Sequence, residues 1–172
     1  MKYFSIFDLP ISFQVDLDLL NQRYQQLQRT VHPDHFANGS ENEKLLAVQK
    51  ASEINDAYNT LKKPLNRAEY MVYEKGFDVK HEQSTINDGM FLMQQMELRE
   101  ELEEIESSSD PETALDDFYE DVKHLISDYS EQFESLFEQE QFEQAAQVVR
   151  KMKFIYKLHE EAQILEDKLL DF

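Results

Sequence analysis

Only three glycines and four prolines interrupt a chain of 172 residues. These two residue types supply most tight turns, so a fold of many short strands would lack the residues that its turns require. Helices need far fewer such breaks. The scarcity therefore predicts an all-α fold, and the length fits one domain or two small ones.

Two longer helices are predicted in the first 75 residues. The first begins after a capping Asp16 and ends before Pro33, because the residue before a proline is pushed out of the helical region. The second begins at Ser40, which forms a capping-box pattern with Glu43, and it ends before Pro64. Its predicted core face is Leu45, Val48, Ala51, Ile54, Tyr58 and Leu61. With a short element on each side, these helices predict an antiparallel hairpin.

Three more helices are predicted in residues 90–172. The first covers about residues 90–106, the second begins at Pro111, and the third covers about residues 142–170. The break between the last two, at residues 139–141, contains neither glycine nor proline and rests on apolar spacing alone. Short turns between three helices predict a three-helix bundle. Residues 76–89 show little periodicity and are interpreted as a connector.

Acidic residues dominate one part of the chain. The net charge is −19, and residues 97–143 alone hold 18 acidic and 2 basic side chains. Binding to nucleic acid or to an anionic membrane needs Lys and Arg to neutralise phosphates, so neither partner is expected. The plain interpretation of the acidic block is a solvated helix surface. No window approaches the roughly 18 apolar residues of a membrane span. The start of the chain does not read as a signal peptide, so the cytoplasm is expected.

The sequence contains no clear pattern of catalytic or metal-binding residues. The absence of cysteine excludes disulfides and cysteine-ligated zinc or iron–sulfur sites in the chain. His32, Asp34 and His35 share one loop, but three adjacent ligands have no defined metal geometry. A hydrolase that uses a metal in this loop is therefore a remote alternative. No phosphate-binding loop or nucleophile elbow is present. No catalytic residue, metal or cofactor is predicted.

His32, Pro33 and Asp34 lie where the two hairpin helices turn. The proline stiffens the backbone, and an exposed carboxylate can accept a forked hydrogen bond from an arginine of a partner. This position favours recognition of another protein. The alternative is that His32 and Asp34 only shape the loop.

Two stretches of the chain resemble known domains. The segments that carry the resemblance are Tyr3-Phe4, Phe7-Asp8-Leu9-Pro10, His32-Pro33-Asp34, residues 51–61, 64–70, 91–93, 96–105, 149–151 with 154, and 169–172. On these segments, residues 1–75 resemble a J-domain, and residues 90–172 are similar to the C-terminal domain of the HscB family, J-type co-chaperones of bacterial iron–sulfur cluster assembly. Together the two stretches span nearly the whole chain.

The resemblance implies a co-chaperone with two partners and no activity of its own. Its J-domain would dock on an ATPase chaperone of the HscA type and stimulate ATP hydrolysis. Its bundle would bind an iron–sulfur scaffold protein of the IscU type. The alternative is a general J-domain adaptor that delivers a different client. The residues carried over for the chaperone are His32, Pro33 and Asp34 as the trigger, and Arg23 and Arg29 as docking charges.

His35 and the small number of arginines depart from the family pattern. His35 stands where J-domains usually have lysine, and only two arginines mark the preceding helix. Docking that depends on long-range attraction is therefore expected to be weaker, or more sensitive to pH, than in a typical J-domain.

A second apolar face on the first bundle helix indicates where the scaffold would bind. At about 100° per residue, Phe91, Leu98, Leu102 and Ile105 form a core stripe, while other apolar side chains fall away from it. Exposed methionines suit an adaptable binding surface. The scaffold site implied by the resemblance is Leu92, Met93, Met96, Glu97, Glu100, Glu104 and Phe154. The alternative is that the apolar members pack against the first domain or the connector.

Overall fold

A computed structural model describes residues 1–80 and 86–171 of the chain. Regular structure in these residues is helical, without a strand, so the predicted all-α fold is confirmed. The elements are α1 (Lys2–Ile6), α2 (Leu17–Val31), a 3-10 helix (Pro33–Phe36), α3 (Glu41–Leu61), α4 (Pro64–Tyr73), α5 (Gly89–Glu104), α6 (Pro111–Glu138) and α7 (Phe142–Leu170). Residues 81–85 of the expected connector and the terminal Phe172 lie outside the described residues.

The chain divides into two compact units, Met1–Glu74 and Lys75–Phe172. The first unit contains α1 to α4. Its fully buried side chains include Phe4, Phe7, Leu20, Leu61 and Met71. The predicted N-caps are in place, since Asp16 accepts a hydrogen bond from the Leu19 N–H and Ser40 accepts one from the Glu43 N–H. These caps fix where α2 and α3 begin.

The predicted core face of α3 is wrong at its N-terminal end. Leu45 and Val48 are exposed by 56% and 54%, whereas Ala47 is buried and continues the face of Ile54 and Leu61. A step of three residues turns the helix by only about 300°, so three such steps from Leu45 to Ile54 accumulate about 180°. Leu45 therefore lies on the side of α3 opposite to Ile54.

The contact between α2 and α3 includes aromatic rings and polar groups at the surface. Tyr24 and Tyr58 stack with their ring centroids 4.0 Å apart. The Tyr24 hydroxyl donates to Asn55 Oδ1 at 2.5 Å, and the Tyr58 hydroxyl donates to Asn21 Oδ1 at 2.6 Å. Each tyrosine thus bonds to the opposite helix, which fixes the register of the hairpin.

Replacing Asn55 with alanine is expected to destabilise the first unit modestly. The substitution removes the acceptor of the Tyr24 hydroxyl and of Gln28 Nε2. These groups can bond to water instead, so the expected loss is about 1 kcal/mol. Asn59→Ala is the matched control, because Asn59 is exposed one turn later in α3 and makes no side-chain hydrogen bond within the described residues. Urea unfolding measures both variants, and equal stabilities would contradict the prediction.

A buried arginine joins three segments of the first unit. Arg67 of α4 is 4% exposed, and its Nε donates to the Leu61 carbonyl at 2.9 Å. Its Nη1 donates to the Phe13 carbonyl at 2.5 Å, and the guanidinium lies 5.5 Å from the Phe13 ring centroid. The arginine therefore satisfies carbonyls at the end of α3 and in the loop before α2.

The second unit is a bundle of α5, α6 and α7. The long helices α6 and α7 pack together extensively, whereas α5 has far fewer contacts with either. Phe118, Phe133, Met152, Ile155 and Leu158 are almost completely buried between the helices. No helix in the described residues is long and apolar enough to cross a bilayer.

The predicted break between α6 and α7 is confirmed. α6 ends at Glu138 and α7 begins at Phe142. Glu140 adopts a positive φ of 59°, and the Gln141 N–H donates to the Leu136 carbonyl at 2.8 Å. This is the left-handed helix ending that glycine usually provides, formed here by a glutamate.

Candidate functional site

The His-Pro-Asp corner, which is His32, Pro33 and Asp34, lies where α2 meets the 3-10 helix, and Pro33 and Asp34 are the first two residues of that helix. His32 ends α2 with an extended ψ of 134°, as expected for a residue before proline. The His32 Nδ1 accepts a hydrogen bond from the Asp34 N–H at 3.2 Å. The His35 N–H donates to the His32 carbonyl at 3.0 Å. Local bonds therefore determine the shape of the corner.

The side chains of the corner are available to a partner. The His32 side chain is 58% exposed and that of Asp34 is 91% exposed. Since His32 Nδ1 accepts a hydrogen bond, Nε2 carries the proton of the neutral ring and can donate to a partner. The Asp34 carboxylate offers two acceptor oxygens, which fit a guanidinium. The corner thus presents one donor and one acceptor side by side.

The two arginines of α2 have different surroundings. Arg23 is half-buried, and its Nη1 donates to the carbonyls of Phe7 and Asp8 at 2.7 and 2.6 Å. Part of its hydrogen-bonding capacity is therefore used to join α2 to the end of α1. Arg29 is exposed in the last turn of α2, the turn that leads into His32. Of the two, Arg29 is the more accessible to a docking partner.

A second candidate surface lies on the bundle. Leu92, Met93 and Met96 of α5 are exposed by 43%, 64% and 71%, and Phe154 of α7 is exposed by 39%. We call these four residues the α5–α7 surface. A patch of large apolar side chains that reach water to this extent is typical of a binding site.

The contacts of α5 indicate how this surface is arranged. Arg99 of α5 donates to Glu161 of α7 at 2.7 Å, so that side of α5 adjoins α7. Leu92 and Met96 lie within about 20° and 60° of Arg99 around the helix. The ring of Phe154 is 6.0 Å from that of Phe91, the residue before Leu92. Leu92, Met96 and Phe154 therefore lie along the junction of α5 and α7.

Carboxylates flank the α5–α7 surface. Glu97, Glu100 and Glu104 are exposed on α5, and within the described residues they form no ion pair. On α7, by contrast, Lys151 binds Asp88 and Lys153 donates to the Val79 carbonyl at 3.0 Å. The α5 side of the surface thus presents free negative charge, and a partner with basic side chains beside its apolar ones would complement it there. On the α7 side, the exposed Lys157 lies one turn after Phe154 and adds a positive charge.

The structure adds residues that the sequence reasoning missed. Met90 is 85% exposed and precedes Met93 and Met96 at the same spacing of three residues, so the repeat of methionines could have identified it. Asp88 and Lys151 join the start of α5 to α7, and no sequence pattern connects these two positions. Within the described part of the chain, acidic and histidine side chains form no cluster able to hold a metal.

Comparisons with known families match both units. Residues 2–70 match the family described as the DnaJ domain, and residues 87–163 match the family described as the HSCB C-terminal oligomerisation domain. Together these matches cover the His-Pro-Asp corner and the α5–α7 surface.

Individual relatives match over the full length. The chain is 52% identical over 170 residues to the co-chaperone protein HscB homolog of Aliivibrio fischeri, with 99% of each chain covered. The structure of chaperone HscB from Vibrio cholerae superposes with a TM-score of 0.87 at 46% identity, covering 98% of this chain and 99% of the other. That of human co-chaperone protein HscB gives 0.86 at 34% identity, covering 95% and 81%.

Proposed function

The chain belongs to the HscB family of co-chaperones, which are not enzymes, and from this membership we propose that it brings an IscU-type iron–sulfur scaffold to an HscA-type chaperone. Its J-domain implies an ATPase chaperone of the Hsp70 type as one partner. In the proposal, the His-Pro-Asp corner stimulates ATP hydrolysis by that chaperone. Residues 1–75 serve the chaperone, residues 90–172 serve the scaffold, and residues 76–89 connect them.

The observation that carries the scaffold part of the proposal is the α5–α7 surface. It combines adaptable apolar side chains with the unpaired carboxylates of Glu97, Glu100 and Glu104. Apolar side chains supply affinity when a partner buries them, and the charges beside them select the partner and its orientation. A surface that binds many unfolded clients needs apolar side chains, but it does not need charges that select one partner and its orientation.

The chaperone part rests on the geometry of the His-Pro-Asp corner. His32 and Asp34 are exposed, and the hydrogen bond from the Asp34 N–H to His32 Nδ1 orients the imidazole. A binding site that is ordered in advance loses less entropy when its partner arrives. Two sites on one chain also raise the effective concentration of the scaffold near the chaperone, without any new contact.

The test uses the full chain with the two purified partners. Calorimetry is expected to show one scaffold bound per chain, and a steady-state assay is expected to show faster ATP hydrolysis by the chaperone when the chain is added. No stimulation would contradict the J-domain part of the proposal. Stimulation without scaffold binding would instead favour the alternative, a general J-domain adaptor that delivers a different client.

A further inference from the structure

The carboxylate of Asp88 binds two helices at once. Its Oδ1 accepts a hydrogen bond from the Phe91 N–H at 3.2 Å, which caps the N-terminus of α5. Its Oδ2 accepts one from Lys151 Nζ of α7 at 2.6 Å. The hydrogen bonds from Lys151 and from the Phe91 N–H lower the pKa of Asp88, so the carboxylate stays charged at neutral pH.

The same lysine also contacts the aromatic side chains beside the α5–α7 surface. Lys151 Nζ lies 5.7 Å from the ring centroid of Phe91, which is 3% exposed. The Phe91 ring in turn lies 6.0 Å from that of Phe154 and 6.3 Å from that of Tyr129. Contacts therefore run from Asp88 to Lys151, from Lys151 to Phe91, and from Phe91 to Phe154.

α5 has fewer contacts with α6 and α7 than those two helices have with each other. Its packing rests on a narrow stripe of buried side chains, Phe91, Leu98 and Leu102. Two ion pairs fasten α5 to α7, Asp88–Lys151 at its first turn and Arg99–Glu161 about three turns later. Leu92 and Met96 lie between these pairs. The ion pair at Asp88 is the one that also contacts the aromatic pair Phe91 and Phe154.

We propose that Asp88 and Lys151 are positioning residues, which hold the first turn of α5 against α7 so that Leu92 and Phe154 meet the scaffold together. This inference rests on the proposed scaffold binding. Neither residue needs to touch the scaffold. Their contribution is to order the surface before binding, which lowers the entropy cost of forming the complex.

Two substitutions remove the ion pair, one while keeping the helix cap at position 88 and the other while keeping an apolar chain at position 151. Asp88→Asn keeps an N-cap acceptor for the Phe91 N–H but loses the charge, since asparagine caps helices as well as aspartate does. Lys151→Met keeps an unbranched apolar chain over Phe91 but loses the ammonium group. Each is expected to weaken scaffold binding about fivefold, and the double variant is expected to lose no more than the larger single effect.

Lys168→Met is the matched control. Lys168 of α7 binds Glu106 at 2.9 Å. This ion pair also joins α7 to the α5 region, but it lies just after the C-terminal end of α5, far from Asp88. Its removal is expected to leave scaffold affinity unchanged. Lys151→Arg is expected to restore most of the affinity lost in Lys151→Met, which a loss caused only by altered packing at position 151 would not predict.

The measurements are calorimetric affinity for the scaffold and amide hydrogen exchange at residues 91–96 without it. Weaker binding with faster exchange in Asp88→Asn and Lys151→Met, but not in Lys168→Met, supports the inference. Unchanged affinity in both variants overturns it and leaves the proposed function standing. If the unaltered chain does not bind the scaffold, the proposed function itself fails. Should Lys151→Met not fold, Asp88→Asn alone decides.

Discussion

The His32→Gln variant is expected to lose stimulation of the chaperone's ATPase by about tenfold or more, which corresponds to at least 1.4 kcal/mol of transition-state stabilisation in that chaperone. The His32 side chain is 58% exposed, so its replacement removes nothing from the core. What is lost is the imidazole, whose Nδ1 organises the corner by accepting from the Asp34 N–H and whose Nε2 is left available to donate to a partner.

The control for this prediction is a histidine-to-glutamine substitution at an exposed position outside the corner. His124 is an exposed histidine on α6, in the other unit, and His124→Gln is expected to stimulate like the unaltered chain. Scaffold affinity should be equal in both variants. If His32→Gln stimulated the ATPase normally in a steady-state assay, the assignment of the trigger to the His-Pro-Asp corner would be wrong.

Replacing Leu92 and Met96 together with alanine is expected to lower scaffold affinity by about a hundredfold. Truncating either side chain removes apolar area that the scaffold would bury, at an expected cost of about 1.4 kcal/mol or a factor of ten for each. The two residues are exposed by 43% and 71% and lie outside the core, so the bundle is expected to lose much less stability than scaffold affinity. Alanine also favours the helix slightly.

The comparison for the double variant is Ile164→Ala with Leu170→Ala. These α7 side chains are exposed by 69% and 75% and lie outside the α5–α7 surface. Their truncation removes a similar amount of exposed apolar area and is expected to leave scaffold affinity unchanged. Equal losses in the two double variants would mean that binding depends on general hydrophobicity. If the Leu92 and Met96 double variant kept its scaffold affinity, the proposal that the α5–α7 surface binds the scaffold would be wrong.

The helices were predictable from sequence because their ends are encoded locally. Asp16 and Ser40 cap helices through their own side chains, and Pro111 occupies the first position of α6, which proline favours. The turn at Glu140 was harder, because a glutamate in the left-handed region carries no compositional signal. Leu45 shows a different limit, since spacings of three residues drift around a helix and can imitate a core stripe.

The exposure of the predicted site residues on α5 followed from sequence, but their contacts with distant residues did not. Helical spacing separated Leu92 and Met96 from the core stripe of α5, and the structure finds both exposed. The pairing of Asp88 with Lys151 joins residues 63 positions apart, and the bond of Arg23 to Phe7 joins two helices. Tertiary packing determines such contacts, and one sequence contains no pattern that reveals them.

The bonds between α2 and α3 also have a consequence for the rate of association. Tyr24 and Tyr58 hold the two helices together through Asn55 and Asn21 before any partner arrives. In the proposed complex, the His-Pro-Asp corner at the end of this hairpin need not fold during the encounter. Association should then proceed at the rate of about 10⁵–10⁷ M⁻¹s⁻¹ that is typical of preformed surfaces. Differences in affinity between variants would then arise mainly from their dissociation rates.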